Sequence, residues 1–210
     1  MSKTILFDVD GTLVDTEEPI IKSLQKTLKE VLNIEPPAED LFYVLGIPGT
    51  KAIAKYAASE AEGQKMLNLW TNYENDLFDL SHPFAGIEDS LQALKDAKLN
   101  LGIVTSRTDE ELQVVYDNFD FEKYFDTAIT TNKTKLHKPH PDPILAAIKE
   151  LKVKPEDTVY IGDSIYDFQC ARNAHVRFAL AGWGAKDNPE FSKVDYYLAN
   201  PDDLLNIIRN

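Results

Sequence analysis

The amino-acid sequence predicts an α/β fold in which a parallel sheet is interrupted by a helical insert. A short run of apolar or β-favouring residues, 4–7, is typical of a buried strand. From about residue 83 onward, strand-like and helix-like segments alternate, which indicates parallel β-α-β units with right-handed crossovers. Residues 16–82 show helical periodicity and no convincing alternating strand. Because the first strand must pair with the later ones, the insert interrupts a single sheet.

The insert is expected to begin with a long amphipathic helix. Apolar residues recur at helical spacing over residues 17–33, and Thr16 is a fair N-cap. Pro36 and Pro37 predict the end of that helix. Residues 38–81 read as mostly helical, with a break at Gly46–Gly49.

Four further strands are predicted after the insert. Helical stripes separate them, and Thr108 with Glu111 forms a capping-box pattern at the start of one helix. Pro201 fits the first turn of a last helix. The predicted strands are Leu99–Thr105, Thr127–Thr131, Thr158–Gly162 and Val176–Ala181.

The length of the chain allows one domain, or one domain with a smaller insert. It has 210 residues, of which 43% are hydrophobic, as in an ordinary globular protein. We therefore predict a core formed by residues 1–15 and 83–210 and a helical insert at residues 16–82.

Composition also narrows the expected partners and compartment. The net charge of −13 argues against nucleic-acid binding and against anionic membrane surfaces. No apolar run approaches the roughly 20 residues that span a bilayer, and no signal peptide is visible. The single cysteine, Cys170, suits a reducing cytoplasm, which is the predicted location.

Two aspartates directly follow the first predicted strand. Side chains at positions i and i+2 of an extended segment point to the same side, so Asp8 and Asp10 are expected to crowd one small volume. Buried carboxylates this close call for a bound cation or a shared proton, and magnesium suits carboxylate and carbonyl oxygens beside a phosphate. A plain turn remains an alternative. A calcium loop is disfavoured because its twelfth position would be Pro19 rather than glutamate.

Other polar residues follow the later strands or lie in the loop between two of them. Since ligands bind beyond the carboxyl ends of parallel strands, these side chains are expected near the two aspartates. Asp163 and Asp167 are expected to share one face of a helical turn and to add oxygen ligands for magnesium. Taken one at a time, these residues are more often ordinary turn, capping or surface residues. Only their joint occurrence at successive strand ends favours phosphoryl transfer. The residues are Thr105, Ser106, Arg107, Lys138, Asp163 and Asp167.

These residues resemble the four motifs of the haloacid dehalogenase-like hydrolase superfamily, especially its phosphoglycolate phosphatase and β-phosphoglucomutase-like group. The motifs are DxDGT at Asp8–Thr12, a strand-end Thr105, Lys138 within KPxP, and GDxxxD at Gly162–Asp167. The resemblance covers essentially the whole chain. It implies a Rossmann-like parallel sheet core with an inserted α-helical cap domain.

The resemblance also implies a role for each catalytic residue. Asp8 would be the nucleophile, and Asp10 would protonate the leaving oxygen and then activate water. Thr105 and the backbone amide of Ser106 would hold the phosphoryl group, while Lys138 would stabilise the nucleophile and the developing charge.

The cofactor implied by the resemblance is Mg²⁺, bound by Asp8, the Asp10 carbonyl and Asp163, with Asp167 in support. The expected function is a magnesium-dependent phosphatase that hydrolyses a small phosphorylated metabolite through an aspartyl-phosphate. Haloacid dehalogenases lack the second aspartate, so the presence of Asp10 disfavours dehalogenation.

Two alternative functions stay open. A β-phosphoglucomutase-like enzyme usually carries a histidine where this chain has Ile20, which favours a hydrolase. A non-catalytic phosphoaspartate regulator or binding protein would share the fold, but every catalytic position is occupied and Asp10 is present to remove the phosphate.

The predicted insert contains the candidate specificity residues. Gly46–Thr50 interrupts the helices. The segment is either a loop that selects the substrate or an ordinary interhelical turn, and the sequence favours neither. The insert contains no arginine, so Lys51 could replace the arginine that many sugar-phosphate enzymes of this group use. Outside the insert, Arg107 is a further candidate for substrate contact.

Overall fold

The computed structural model describes residues 4–209, and these residues form two compact units. One unit comprises the described chain up to Val14 together with Pro83 onward, and the other is Asp15–His82. Two very short strands, β2 (Val14–Asp15) and β3 (His82–Pro83), lie where the chain passes from one unit to the other.

The first unit is an α/β layer structure, which confirms the predicted fold class. Its sheet strands are β1 (Thr4–Phe7), β4 (Asn100–Val104), β5 (Thr127–Ile129), β6 (Thr158–Gly162), β7 (Arg177–Ala181) and β8 (Tyr196–Leu198). The helices of both units are α1 (Glu17–Leu32), α2 (Gly49–Ile53), α3 (Glu60–Asp76), α4 (Ile87–Asp96), α5 (Asp109–Phe119), α6 (Asp142–Leu151), α7 (Ile165–Asn173) and α8 (Leu204–Arg209).

All six strands of the sheet run parallel, in the order β5-β4-β1-β6-β7-β8. Strand β1 is therefore central, and its last residue, Phe7, is in register with Ile103 on one side and Ile161 on the other. All four residues of β1 are buried, and three of them in succession are apolar rather than alternating with polar residues, as expected for a strand that is covered on both faces. The residue after Phe7 consequently emerges at the middle of the carboxyl edge.

The core beneath one face of the sheet is formed by apolar side chains from β6, β7, α6 and α7. Tyr160 and Phe178 are fully buried there, and Phe168 packs against Phe178 with 5.5 Å between ring centroids. Cys170 is buried on α7. This packing holds the ends of β6 and α7, which carry two of the candidate residues.

The unit Asp15–His82 is helical and has its own core. Leu24 and Leu28 of α1 are buried in the same cluster as Met66 and Trp70 of α3. The Trp70 indole N–H donates to Ser23 Oγ over 2.9 Å. Helix α1 follows the predicted 17–33 span closely, and the remaining described residues of this unit are mostly α or 3₁₀ helix, also as predicted.

Some local expectations were wrong. Asp163 precedes α7, because Ser164 is its N-cap, so Asp163 and Asp167 do not share a helical turn. Strand β8 was not predicted at all, since Tyr196–Leu198 is only three residues long and lies at the sheet edge, where the hydrophobic pattern is weak. The capping box of Thr108 and Glu111 is confirmed.

Candidate active site

Asp8 lies at the centre of the carboxyl edge of the sheet. Its backbone N–H donates to Ile161 O over 2.9 Å, which continues the pairing of β1 with β6 by one residue. The side chain of Asp8 is only 3% exposed. A carboxylate buried to this extent is unfavourable unless cations or hydrogen-bond donors surround it.

Lys138 supplies the cation beside Asp8. Its Nζ lies 2.8 Å from Asp8 Oδ1 and 2.7 Å from Asp167 Oδ1, and its side chain is 1% exposed. Lys138 is therefore a buried residue and not a solvated lysine of the surface. Because one ammonium contacts two carboxylates, Lys138 fixes the separation of Asp8 from Asp167.

Asp167 is held by three donors besides Lys138. The hydroxyl of Tyr160, on β6, lies 2.7 Å from Asp167 Oδ1 and also 2.9 Å from Val104 O. The backbone N–H and the hydroxyl of Ser164 donate to Asp167 Oδ2 in the capping box that starts α7. Both oxygens of Asp167 are thus engaged by the protein, so its main effect is to orient Lys138.

Asp163 faces the turn that follows β1. Thr12 Oγ1 donates to Asp163 Oδ1 over 3.2 Å. Gly11, in the same turn, has φ +73°, and a Cβ there would lie 2.3 Å from Asp163 Oδ2. The glycine is required both by its left-handed backbone and by the space that the carboxylate occupies.

The carboxylates of Asp8, Asp163 and Asp167 form a buried cluster, with one oxygen from each within 4.8 Å of the others. Lys138 contacts two of these three carboxylates, and one ammonium cannot neutralise three, so the cluster has an excess of negative charge in a site shielded from water. This charge excess and the all-oxygen donor set fit a hard divalent cation such as Mg²⁺.

Electrostatics inside the cluster follow from burial and from like charges. Burial, with the charges of Asp167 and Asp10, raises the pKa of Asp8 to about 7, although Lys138 opposes the shift. Burial and the charges of Asp167 and Asp8 likewise raise the pKa of Asp163 well above its ordinary value. Burial would lower the pKa of Lys138, but its two carboxylate partners raise it, so the lysine stays charged.

Asp10 lies two residues after Asp8 in the sequence but has a different partner. Arg107 Nη2 is 2.7 Å from Asp10 Oδ1, and Arg107 Nε is 2.9 Å from Asp10 Oδ2. The side chains of Arg107 and Asp10 are 8% and 19% exposed. A planar guanidinium that binds both carboxylate oxygens fixes the direction of the carboxylate as well as neutralising it.

The end of β4 adds hydroxyl groups to the site. Thr105 is buried, and its Oγ1 accepts the backbone N–H of Arg107 over 3.1 Å, so its own proton is directed elsewhere. The buried Oγ of Ser106 has no hydrogen-bond partner among residues 4–209. A buried polar atom of this kind gains free energy when a ligand oxygen reaches it.

Comparison with known proteins identifies the family. A profile described as haloacid dehalogenase-like hydrolase matches residues 5–181. The chain belongs to this family. Over 211 residues it is 31% identical to the protein named "Putative pyrophosphatase PpaX" of Clostridium perfringens, with 99% of this chain and 98% of the relative covered. It is 30% identical to Pyrophosphatase PpaX of Bacillus mycoides, with 98% and 96% covered.

A solved crystal structure has the same fold. The crystal structure titled "putative phosphoglycolate phosphatase" from Lactobacillus plantarum superposes with a TM-score of 0.90 and 27% sequence identity. It covers 99% of this chain, and this chain covers all of it. The similarity therefore includes the residues of both compact units.

Three candidate specificity residues of this family member lie in the unit Asp15–His82. Gly46 adopts a φ of +80° in the turn before α2. Thr50 and Lys51 are exposed on α2. Their contact with substrate stays a prediction, whereas Arg107 belongs to the other unit and contacts Asp10.

Sequence reasoning missed two residues that hold Asp167. Ser164 could have been found, because Ser164-x-x-Asp167 is a capping-box pattern. Tyr160 gave no signal, because a tyrosine in an apolar strand is normally a core residue.

Among the described residues, no helix combines the length and apolar character needed to cross a membrane.

Proposed function

We propose that this chain is a magnesium-dependent phosphatase that hydrolyses a small phosphorylated metabolite through an aspartyl-phosphate on Asp8. The observation that carries the proposal is the buried Asp8 carboxylate at the centre of the sheet edge, ion-paired to Lys138 and clustered with Asp163. A carboxylate so placed is a competent nucleophile toward phosphorus. The names of the similar proteins, pyrophosphatase and phosphoglycolate phosphatase, support phosphate-ester or anhydride chemistry.

In the first step, a carboxylate oxygen of Asp8 attacks phosphorus as the bond to the leaving oxygen breaks. Asp10 enters this step carrying a proton, which it regains from water in the second step, and gives it to that oxygen, so the leaving group departs neutral at this position. Lys138 stays paired with Asp8 and offsets the negative charge that gathers at the reacting oxygens.

In the second step, water attacks the phosphorus of phosphorylated Asp8. Asp10, now without its proton, takes one from the water, and phosphate leaves as the Asp8 carboxylate is restored. Arg107 holds the Asp10 carboxylate in one direction, which favours the same residue serving both steps. Throughout, the hydroxyls of Thr105 and Ser106 and the Ser106 amide hold the phosphoryl oxygens.

Asp8, Asp163 and the Asp10 carbonyl are the proposed magnesium ligands, with Asp167 holding Lys138 beside them. When bound, the cation supplies positive charge against the phosphoryl oxygens. The raised pKa values of Asp8 and Asp163 support this assignment, because a divalent cation would relieve the repulsion that raises them.

The expected substrate is small and anionic, and the expected compartment is the cytoplasm. The chain has a net charge of −13, which opposes binding to nucleic acids and to anionic membranes. A small anion can still bind where local cations offset this charge. Lys138 and Arg107 are such local cations, since both are buried at the sheet edge.

The direct test is phosphate release from a panel of phosphorylated metabolites with and without Mg²⁺. The panel includes pyrophosphate, phosphoglycolate, sugar phosphates and nucleotides, with β-glucose 1-phosphate also assayed for isomerisation. Magnesium-dependent release, strongest for one compound, is the expected result. Isomerisation without release would replace the proposal with a mutase, and phosphorylation of Asp8 without turnover would replace it with a regulator.

Magnesium is expected to stabilise the protein far more at about pH 8 than at about pH 5. The pKa of Asp8 is higher in the folded state than in the unfolded chain, so the folded state binds this proton more tightly. The contribution of that proton to the free energy of unfolding is complete below pH 3.8, the ordinary pKa, and is lost as the pH rises through about 7. At higher pH, Mg²⁺ replaces that proton and restores stability. Thermal unfolding with Mg²⁺ or with a chelator at both pH values measures the effect. An equal magnesium shift at the two pH values would contradict it.

Loss of the two-point contact between Arg107 and the Asp10 carboxylate is expected to lower kcat by about tenfold to a hundredfold. Arg107→Met frees the direction of Asp10, and Arg107→Lys keeps the charge without the two-point contact, so its loss should be intermediate. Arg172→Met removes an exposed arginine of α7 and is the matched control. Steady-state kinetics on the preferred substrate measure the change. Wild-type kcat in Arg107→Met would remove Arg107 from the mechanism.

A further inference from the structure

A segment outside the four motifs contacts the turn that follows β1. The indole N–H of Trp183, two residues after β7, donates to the backbone oxygen of Thr12 over 2.9 Å. The Trp183 ring packs edge-on against Phe84, with 6.5 Å between centroids. Trp183 is thereby anchored at its ring and bonded to the turn at its polar tip.

The next residue approaches the same turn through its backbone. A Cβ on Gly184 would lie 1.8 Å from the carbonyl oxygen of Gly11, so any side chain there would displace the turn. Asp163 also contacts this turn: its Oδ1 accepts the Thr12 hydroxyl, and its carboxylate fills the space beside Gly11. The turn Gly11–Thr12 therefore contacts both Asp163 and the segment Trp183–Gly184.

We infer that Trp183 is a positioning residue for the magnesium site, acting through the turn Gly11–Thr12. The turn directly follows Asp10, whose carbonyl is a proposed ligand, and donates to Asp163, another proposed ligand. Groups that orient metal ligands change metal affinity although they do not touch the metal. The inference rests on the proposed magnesium site.

The chain contains two tryptophans, which provide a matched comparison. Trp183→Phe keeps an aromatic ring but removes the N–H that reaches Thr12. Trp70→Phe removes an indole N–H that donates to Ser23 in the other unit. Mg²⁺ binding by each folded variant is measured by titration calorimetry at one pH. We expect the Mg²⁺ Kd to rise about threefold to tenfold in Trp183→Phe and to stay at the wild-type value in Trp70→Phe.

Two further measurements keep the inference testable if Trp183→Phe folds poorly. In Trp70→Phe, Trp183 is the sole tryptophan, and its fluorescence should change when Mg²⁺ is added. Gly184→Ala should weaken Mg²⁺ binding at least as much as Trp183→Phe, because its methyl group displaces Gly11.

The outcomes separate the inference from the proposed function. Wild-type Mg²⁺ affinity in folded Trp183→Phe, or unchanged Trp183 fluorescence on Mg²⁺ addition, would overturn the positioning role alone. Absence of Mg²⁺ binding by the wild-type protein would overturn the magnesium site and the positioning role together. Equal weakening in both tryptophan variants would assign the effect to general stability and overturn the inference.

Discussion

Asp8→Asn is expected to lower phosphate release by at least about a thousandfold, because the amide has no anionic oxygen with which to attack phosphorus. No phosphorylated protein should form, which intact-mass measurement after incubation with substrate would verify. The substitution is nearly isosteric. The amide should therefore be accommodated in the buried space beside Lys138.

The fold of the Asp8 variant should survive. Burial raises the pKa of Asp8 because the charged form is unfavourable there, so a neutral amide relieves repulsion with Asp167 and Asp10. Metal-free Asp8→Asn should unfold at or above the wild-type temperature at about pH 8. Asp117→Asn, on the exposed face of α5, is the matched control and should retain full activity. Turnover by Asp8→Asn, in a preparation free of other phosphatases, would refute the nucleophile assignment.

Lys138→Met is expected to damage both stability and activity. Removing one partner from a buried ion pair costs about 3–5 kcal/mol, because the remaining charges stay buried without compensation. Here two carboxylates, Asp8 and Asp167, would lose the same ammonium. Urea unfolding without metal measures the stability loss, and kcat should fall at least about a hundredfold.

A double variant tests the physical reason for the Lys138 effect. Asp8→Asn placed in the Lys138→Met background removes one uncompensated charge, so part of the lost stability should return. Lys95→Met is the control, since Lys95 pairs with Asp126 in a more exposed position and should cost about 1 kcal/mol or less. If Lys138→Met is no less stable than Lys95→Met, the buried ion pairs of Lys138 contribute no more to the free energy of unfolding than the exposed pair of Lys95 with Asp126.

Much of the fold could be predicted from the sequence, because most strands of the central sheet are short runs in which apolar residues dominate. Strands β1 and β6 were predicted with their observed bounds, and β4 within one residue at each end. Such buried strands are specified by local hydrophobicity alone. Strand β8 was missed, because its pairing with β7 decides its conformation and its own sequence does not.

Among the candidate site residues, the sequence also identified the types and spacings that phosphoryl chemistry needs. Asp8, Asp163 and Asp167 were predicted as a group, and the structure brings their carboxylates together. This was possible because parallel strands deliver their carboxyl ends to one edge, so order along the chain translates into proximity.

Only the tertiary structure decided which partner each side chain takes. The sequence determined that a lysine and several aspartates would meet at one edge of a parallel sheet. It did not determine that Lys138 bridges Asp8 to Asp167, that Arg107 binds Asp10, or that Trp183 bonds the turn at Thr12. These contacts join residues 29 to 171 positions apart. They depend on side-chain direction, burial and competition among charges, which arise only when the strands and helices are packed.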